Sequence, residues 1–337
     1  MRALVLEDFH HLSVTERPDP QPGPGEVVLD LAYTGICGSD LHGYTGANGR
    51  RQPGQVMGHE TVGHVRATGP GTEGVRPGQL VTLNPVVRPG TPGWIRGEHH
   101  DPGKYVLGVR PDIDAAFAER MLVPAANLVP LPEGLPVEHG ALVEPLAVAV
   151  HAVGRAGAEG ASTALVVGGG PIGQSVVLAL RRAGVQHVLV SEIDPARREL
   201  TEHLGAVAID PATGPLAERV EARFGRLADI AVDAVGIDAS LADALTSTRV
   251  GGTVSLVGMG KPAVQIDAYA ISTMERSLVG SFTYSDDDFR AAVDLVASDP
   301  AVSAALISRI VALDEAPQAF ADLARGDGTP GKVLVRL

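Results

Sequence analysis

Two textures of apolar and polar positions divide the chain. Up to about residue 140, short apolar runs at 2–6, 26–34 and 79–83 alternate with turn-forming clusters: Pro18-Asp19-Pro20-Gln21-Pro22-Gly23-Pro24-Gly25, Gly69-Pro70-Gly71 and Arg76-Pro77-Gly78. Proline and glycine at this density set turns and exclude long helices, so this half predicts a barrel or sandwich of short strands. Within it, 89–111 is rich in Gly, Pro and His without periodicity, and reads as a long surface lobe. From about residue 147 the pattern changes. A buried strand is expected at 164–167, then a glycine-rich turn, a helix at 174–182 and a strand at 187–191. Strands at 207–209, 229–235 and 252–257 follow, with helices at 195–204, 216–224 and 239–248. Pro195 suits a first helical turn, where a missing N–H costs nothing. Such alternation predicts an α/β, doubly wound parallel sheet covered on both faces. Beyond an apolar segment at 278–282, a helix is expected near 287–297. The run 332–337 predicts a last strand able to return to the N-terminal domain.

Composition narrows the function classes. The chain has 337 residues, 45% of them hydrophobic, which favours two folded domains over a disordered polymer. Its formal charge of −13, with no basic run, argues against nucleic acid or an anionic membrane as partner. The single cysteine, Cys37, excludes an intramolecular disulfide framework and any zinc cluster built mainly from thiolates. The N-terminal stretch turns acidic at Glu7-Asp8, unlike a secretory signal. No apolar run reaches the roughly 18–20 residues of a membrane span. The expectation is a soluble, acidic, cytoplasmic protein.

Gly168-Gly169-Gly170-Pro171-Ile172-Gly173 satisfies a dinucleotide fingerprint, which alone is weak among 41 glycines. Its context strengthens it: a strand precedes, a helix follows, and Glu192 ends the next strand. Gly168 permits the tight turn, Gly170 lets backbone approach a pyrophosphate, and Gly173 allows close helix–sheet packing, while the helix N-terminus supplies N–H donors. Glu192 is placed to accept from the ribose hydroxyls and would repel a 2′-phosphate, favouring NAD over NADP. Arg197 could meet a phosphate or lie beside the adenosine ribose.

Three further segments carry metal-binding chemistry: Cys37-Gly38-Ser39-Asp40-Leu41-His42, Gly58-His59-Glu60-Thr61-Val62-Gly63, and Glu144-Pro145 at the border between the two textures. One thiolate, one imidazole and one or two carboxylates form a workable zinc set with an open position. Together with the nucleotide-binding half, these segments resemble the zinc-containing medium-chain alcohol and polyol dehydrogenases, most closely the polyol, butanediol and threonine dehydrogenase branch. The resemblance implies a GroES-like catalytic domain, 1–146 completed by 285–337, and a Rossmann NAD-binding domain, 147–284. It makes Cys37 and His59 zinc ligands and leaves Glu60 and Glu144 as the candidate carboxylate ligands. Asp40 would orient a ligand imidazole. Ser39 would accept the alcohol's proton, with the nicotinamide ribose passing it to His42 and solvent.

The chain departs from that pattern in one place. Many relatives hold a structural zinc with C-x-x-C-x-x-C-x7-C, and the matching positions here are Pro89, Pro92, Ile95 and Gly103. The expectation is therefore one catalytic zinc per chain and a metal-free lobe held by prolines and the packing of Trp94 and Ile95, with His99 and His100 a solvated pair. Tyr44, Trp94 and Phe282 are candidates for the pocket wall, although with only 12 aromatics in the chain each could equally be core. The resemblance implies hydride transfer between NAD and a secondary alcohol, diol or polyol, in a homodimer or homotetramer. The alternatives are a zinc-free quinone or enoyl reductase on the same architecture, and a non-catalytic dinucleotide-binding protein.

Overall fold

The computed structural model describes residues 1–47, 49–92 and 98–337, with only the backbone of Glu98. The chain forms two units, Met1–Glu144 with Ser285–Leu337, and Pro145–Tyr284. The Gly/Pro-punctuated half does fold into short strands. In the first unit, β1 (Arg2–Asp8) forms a hairpin with β2 (His11–Glu16). The long strand β3 (Glu26–Gly35) leads into the short helix α1 (Gly38–Tyr44). Then β4 (Gln55–Val56) pairs with β1, closing a three-stranded sheet. Next come β5 (Glu60–Thr68), β6 (Leu80–Leu83), the pair β7 (Val86–Val87) and β8 (Tyr105–Val106), then β9 (Arg120–Pro124) and β10 (Leu128–Pro130). Helix α2 (Val143–Arg155) carries the chain into the second unit.

That unit alternates strand and helix: β11 (Thr163–Val167), α3 (Pro171–Arg182), β12 (His187–Ser191), α4 (Pro195–His203), β13 (Val207–Ile209), α5 (Leu216–Phe224), β14 (Ala228–Asp233), α6 (Asp238–Thr246), β15 (Thr248–Leu256), α7 (Ala268–Ser272) and β16 (Ser277–Gly280). All pairings are parallel, in the order β13-β12-β11-β14-β15-β16. This is the doubly wound order whose crevice forms where the strand sequence reverses, at the first strand. Strand β11 is buried at every position because helices cover both its faces, which is why its sequence is unbroken Thr-Ala-Leu-Val-Val.

The chain then rejoins the first unit through α8 (Asp286–Ser298), α9 (Pro300–Ala305), β17 (Ile307–Ala312), α10 (Ala316–Arg325) and β18 (Lys332–Arg336). The last strand inserts between β17 and β3 in a seven-stranded sheet, β10-β6-β5-β3-β18-β17 with β9 also on β3. Register places both Glu60 of β5 and Leu334 of β18 opposite Gly35, so the end of β3, the start of β5 and the middle of β18 meet at one point.

Strand β17 and helix α10 carry no clear sequence signal, yet α10 completes a core. Phe320 packs edge-on against Phe117 and beside Tyr44. Tyr44 is consequently a core residue, 6% exposed with its hydroxyl donating to the His10 carbonyl. Phe282 is exposed, whereas Trp94 lies outside the described residues. Among the described residues, no helix is long and apolar enough to cross a membrane.

Candidate active site

The strand convergence assembles the polar groups. Beyond β3, the Ile36 N–H donates to the Val333 carbonyl of β18, which fixes the next residue, Cys37, as the N-cap of α1. The Asp40 carboxylate reaches back to the Cys37 N–H at 3.2 Å, satisfying a donor that helix geometry leaves unpaired. His59 precedes β5 and Glu60 begins it. A Cβ on Gly35 would stand 2.2 Å from Glu60 Oε2, so this glycine leaves the room that the carboxylate fills. Cys37, His59 and Glu60 offer ligand atoms all within 4.8 Å of one another, the one such cluster of His, Cys, Asp and Glu among the described residues.

Charges inside this cluster are strongly coupled. His59 Nδ1 is 3.6 Å from Asp40 Oδ1, and the Arg51 guanidinium is 3.5 Å from the same oxygen. Burial opposes charge on both partners. Even so, the carboxylate of Asp40 and the sulfur of Cys37 hold the His59 pKa well above its ordinary value. For Asp40, burial is outweighed by His59, Arg51 and the Cys37 N–H, and its pKa is lowered. Glu60 is fully buried, and its Oε1 accepts from Lys332 Nζ at 2.5 Å. Its other oxygen, Oε2, has no hydrogen-bond partner, nor has His59 Nδ1. Glu144, 8% exposed at the start of α2, is not among the three clustered residues, though its charge acts on Lys332.

This arrangement fits a zinc ion. Sulfur, imidazole and carboxylate together form a donor set typical of catalytic zinc. A buried, partnerless carboxylate oxygen is costly unless a cation meets it. Ser39 and His42, both half-buried, sit three residues apart on α1 and so share a face of the helix. Lys332 carries no recognisable sequence signal, since it reads only as the polar start of a terminal strand.

In the lobe, Pro89, Pro92 and Gly103 fall within the described residues, whereas Ile95 and the expected packing of Trp94 and Ile95 fall outside them. A different residue organises the described part. Asp101, 3% exposed, accepts from the N–H groups of Gly90, Thr91 and Gly103 at 3.0, 3.1 and 2.8 Å, and from the Thr91 hydroxyl. A carboxylate thus ties the backbone at residues 90 and 91 to that at residue 103.

In the second unit, Gly168 to Gly173 link β11 to α3, with Pro171 and Ile172 opening the helix. A Cβ on Gly173 would meet the Gly168 carbonyl at 1.9 Å, so helix and turn pack as closely as backbone allows. Glu192, 5% exposed, follows β12 and holds the turn directly: Oε2 accepts from the Gly169 N–H at 2.6 Å and Oε1 from the Asp194 N–H at 2.8 Å. The Arg197 guanidinium lies 3.7 Å from the position of a Cβ on Gly170.

Comparison with known proteins agrees with this architecture. A family model described as an alcohol dehydrogenase GroES-like domain matches residues 23–133, and one described as a zinc-binding dehydrogenase matches 171–298. A probable D-xylulose reductase A of Emericella nidulans is 34% identical over 343 residues, spanning 97% of this chain and 94% of that protein. A sorbitol dehydrogenase of Gallus gallus is 32% identical over 344 residues, spanning 99% of this chain and 96% of that protein. Among solved structures, 2R,3R-butanediol dehydrogenase from Bacillus subtilis superposes with a TM-score of 0.90 at 30% identity, covering 100% of this chain and 99% of that one. The GroES-like and Rossmann halves expected from the sequence are therefore both present.

Proposed function

The chain belongs to the zinc-containing alcohol and polyol dehydrogenase family, and on that premise we propose that it transfers hydride between NAD and a secondary alcohol, diol or polyol. The observation that carries this reading is the clustering of Cys37, His59 and Glu60 around a buried carboxylate oxygen that lacks a partner. These three side chains would hold a single zinc. With His59 Nδ1 turned to Asp40, Nε2 is the atom left for the metal, and Glu144 adds negative charge nearby. Zinc bound there would supply Lewis acidity, bringing a hydroxyl's pKa towards neutrality and polarising the carbonyl in the reverse direction.

The protein's own groups then have defined tasks. The Ser39 hydroxyl both accepts and donates, so it can take the substrate's proton. His42, one turn along the same helix face, can carry that proton on to solvent. Asp40 keeps the His59 ring in one orientation. Gly168, Gly170, Pro171, Ile172 and Gly173 present the turn and helix N-terminus to a pyrophosphate, while Glu192 favours an unphosphorylated ribose and Arg197 flanks it. The names of the relatives, a xylulose reductase, a sorbitol dehydrogenase and a butanediol dehydrogenase, support a polyol or diol substrate.

A cytoplasmic location and a homo-oligomer belong to the same proposal. The unpaired Cys37 suits a reducing compartment. Strand β16 leaves an open sheet edge where a second copy could pair.

Protein purified without added zinc tests this function when assayed for metal and screened with NAD on diols, polyols and amino alcohols, with and without chelator. The proposal expects about one zinc per chain and turnover that the chelator abolishes. Metal-free protein with chelator-resistant turnover would instead indicate a zinc-free reductase. NADH binding without turnover across the panel would indicate a non-catalytic binder.

A further inference from the structure

Lys332 is used nowhere in that chemistry, yet it is 4% exposed and its ammonium lies among the proposed metal ligands. Nζ donates to Glu60 Oε1 at 2.5 Å and to the Ile36 carbonyl at 3.3 Å. A buried ammonium is costly, and it persists only where its partners compensate it. Here the partners are one ligand, Glu60, and the residue immediately before another, Cys37. Ile36 is therefore held on both of its backbone polar groups by β18, its N–H by Val333 and its carbonyl by Lys332.

We propose that Lys332 is a positioning residue: it occupies Glu60 Oε1, presents Glu60 to the metal through Oε2 alone, and thereby keeps the metal exchangeable. The proposal rests on the zinc reading above. Two physical effects act in the same direction. A fixed positive charge beside a divalent cation repels it through a medium of low dielectric constant. A carboxylate with one oxygen already engaged cannot chelate through both. Removing the ammonium frees the second oxygen and makes the site more negative by one charge. It also leaves Glu60 buried without a partner in the metal-free protein, so metal binding becomes still more favourable relative to that state.

The test is zinc affinity by competition with a chelator at one pH, on the full chain. Wild type, Lys332→Met and Lys332→Arg are compared, each with and without Glu60→Gln, together with the thermal stability of the metal-free proteins. Lys332→Met should tighten zinc binding about tenfold or more and lower the metal-free melting temperature. Lys332→Arg should stay within about threefold of wild type, because it restores the donor. In the Glu60→Gln background, Lys332→Met should tighten zinc binding clearly less than in the Glu60 background, since no second carboxylate oxygen is left to release and only the relief of charge repulsion remains. Unchanged or weaker zinc binding in Lys332→Met overturns the proposal, as does equal tightening in both backgrounds. Should metal-free Lys332→Met fail to fold, zinc release from protein produced with the metal decides: slower release than wild type supports the proposal, and equal or faster release overturns it. Wild type that takes up no zinc removes the dehydrogenase reading itself, and the role of Lys332 with it.

Discussion

Asp40 Oδ1 stands 3.6 Å from Nδ1 of His59, with the Asp40 side chain wholly buried and that of His59 nearly so. The same oxygen faces Arg51, so one carboxylate stands against the ring of a proposed ligand and balances a buried guanidinium. Asp40→Asn keeps the shape and removes the charge. Zinc affinity should fall about 10–100-fold, the usual cost of losing the partner of a ligand imidazole. Stability should drop by about 3–5 kcal/mol, because Arg51 is left buried without its counter-charge. Zinc titration and urea unfolding measure the two effects; wild-type values in both would remove Asp40 from this role.

Glu192 bonds to the glycine-rich turn and is also the residue proposed to meet the ribose. Glu192→Ala should therefore weaken NAD binding about tenfold, relax discrimination against NADP, and cost about 1–3 kcal/mol by stranding the Gly169 N–H. Initial rates with both cofactors and a thermal melt report on these separately. An unchanged NAD/NADP ratio beside a lowered melting temperature would restrict Glu192 to holding the turn.

Asp229 gives the second unit an acid-sensitive clamp. Burial alone would raise its pKa, but the N–H groups of Ser162 and Thr163, the Arg249 guanidinium and the Thr163 hydroxyl lower it to about 2. A folded-state pKa below the unfolded value stabilises the fold at higher pH. The contribution is fully present above about pH 4 and disappears as pH falls towards 2, amounting to about 1–2 kcal/mol. Urea unfolding of Asp229→Asn should show a lower but flatter stability across that window. A slope equal to wild type would mean that other carboxylates dominate.

Much of this was legible from local chemistry. The turn at Gly168, Gly170 and Gly173 with Glu192 at the next strand end follows from what a pyrophosphate and ribose require, and α5 runs over the expected 216–224. Cys37, His59 and Glu60 stood out through short motifs together with the family resemblance that those motifs carry, and the structure brings the three side chains together. Contacts made only by long-range pairing were not. Lys332 reaches Glu60 because β18 lies beside β3, a neighbour relation that no run of residues near the C-terminus encodes. Tyr44 looked like a pocket aromatic, but α10, which the pattern did not reveal, brings Phe320 against it and makes it core. The carboxylate of Asp101 was hidden in a Gly/Pro-rich lobe because its partners are backbone N–H groups, which leave no mark in side-chain identity.

The sulfur of Cys37 offers the most direct test, since alanine there removes a proposed ligand while the nucleotide turn belongs to the other unit. Metal content, NADH binding and turnover are to be measured side by side on wild type and Cys37→Ala. The account predicts about one zinc per chain in wild type, and in the variant no zinc, no turnover and NADH affinity within about twofold of wild type. A Cys37→Ala protein that keeps both its zinc and its activity would contradict it.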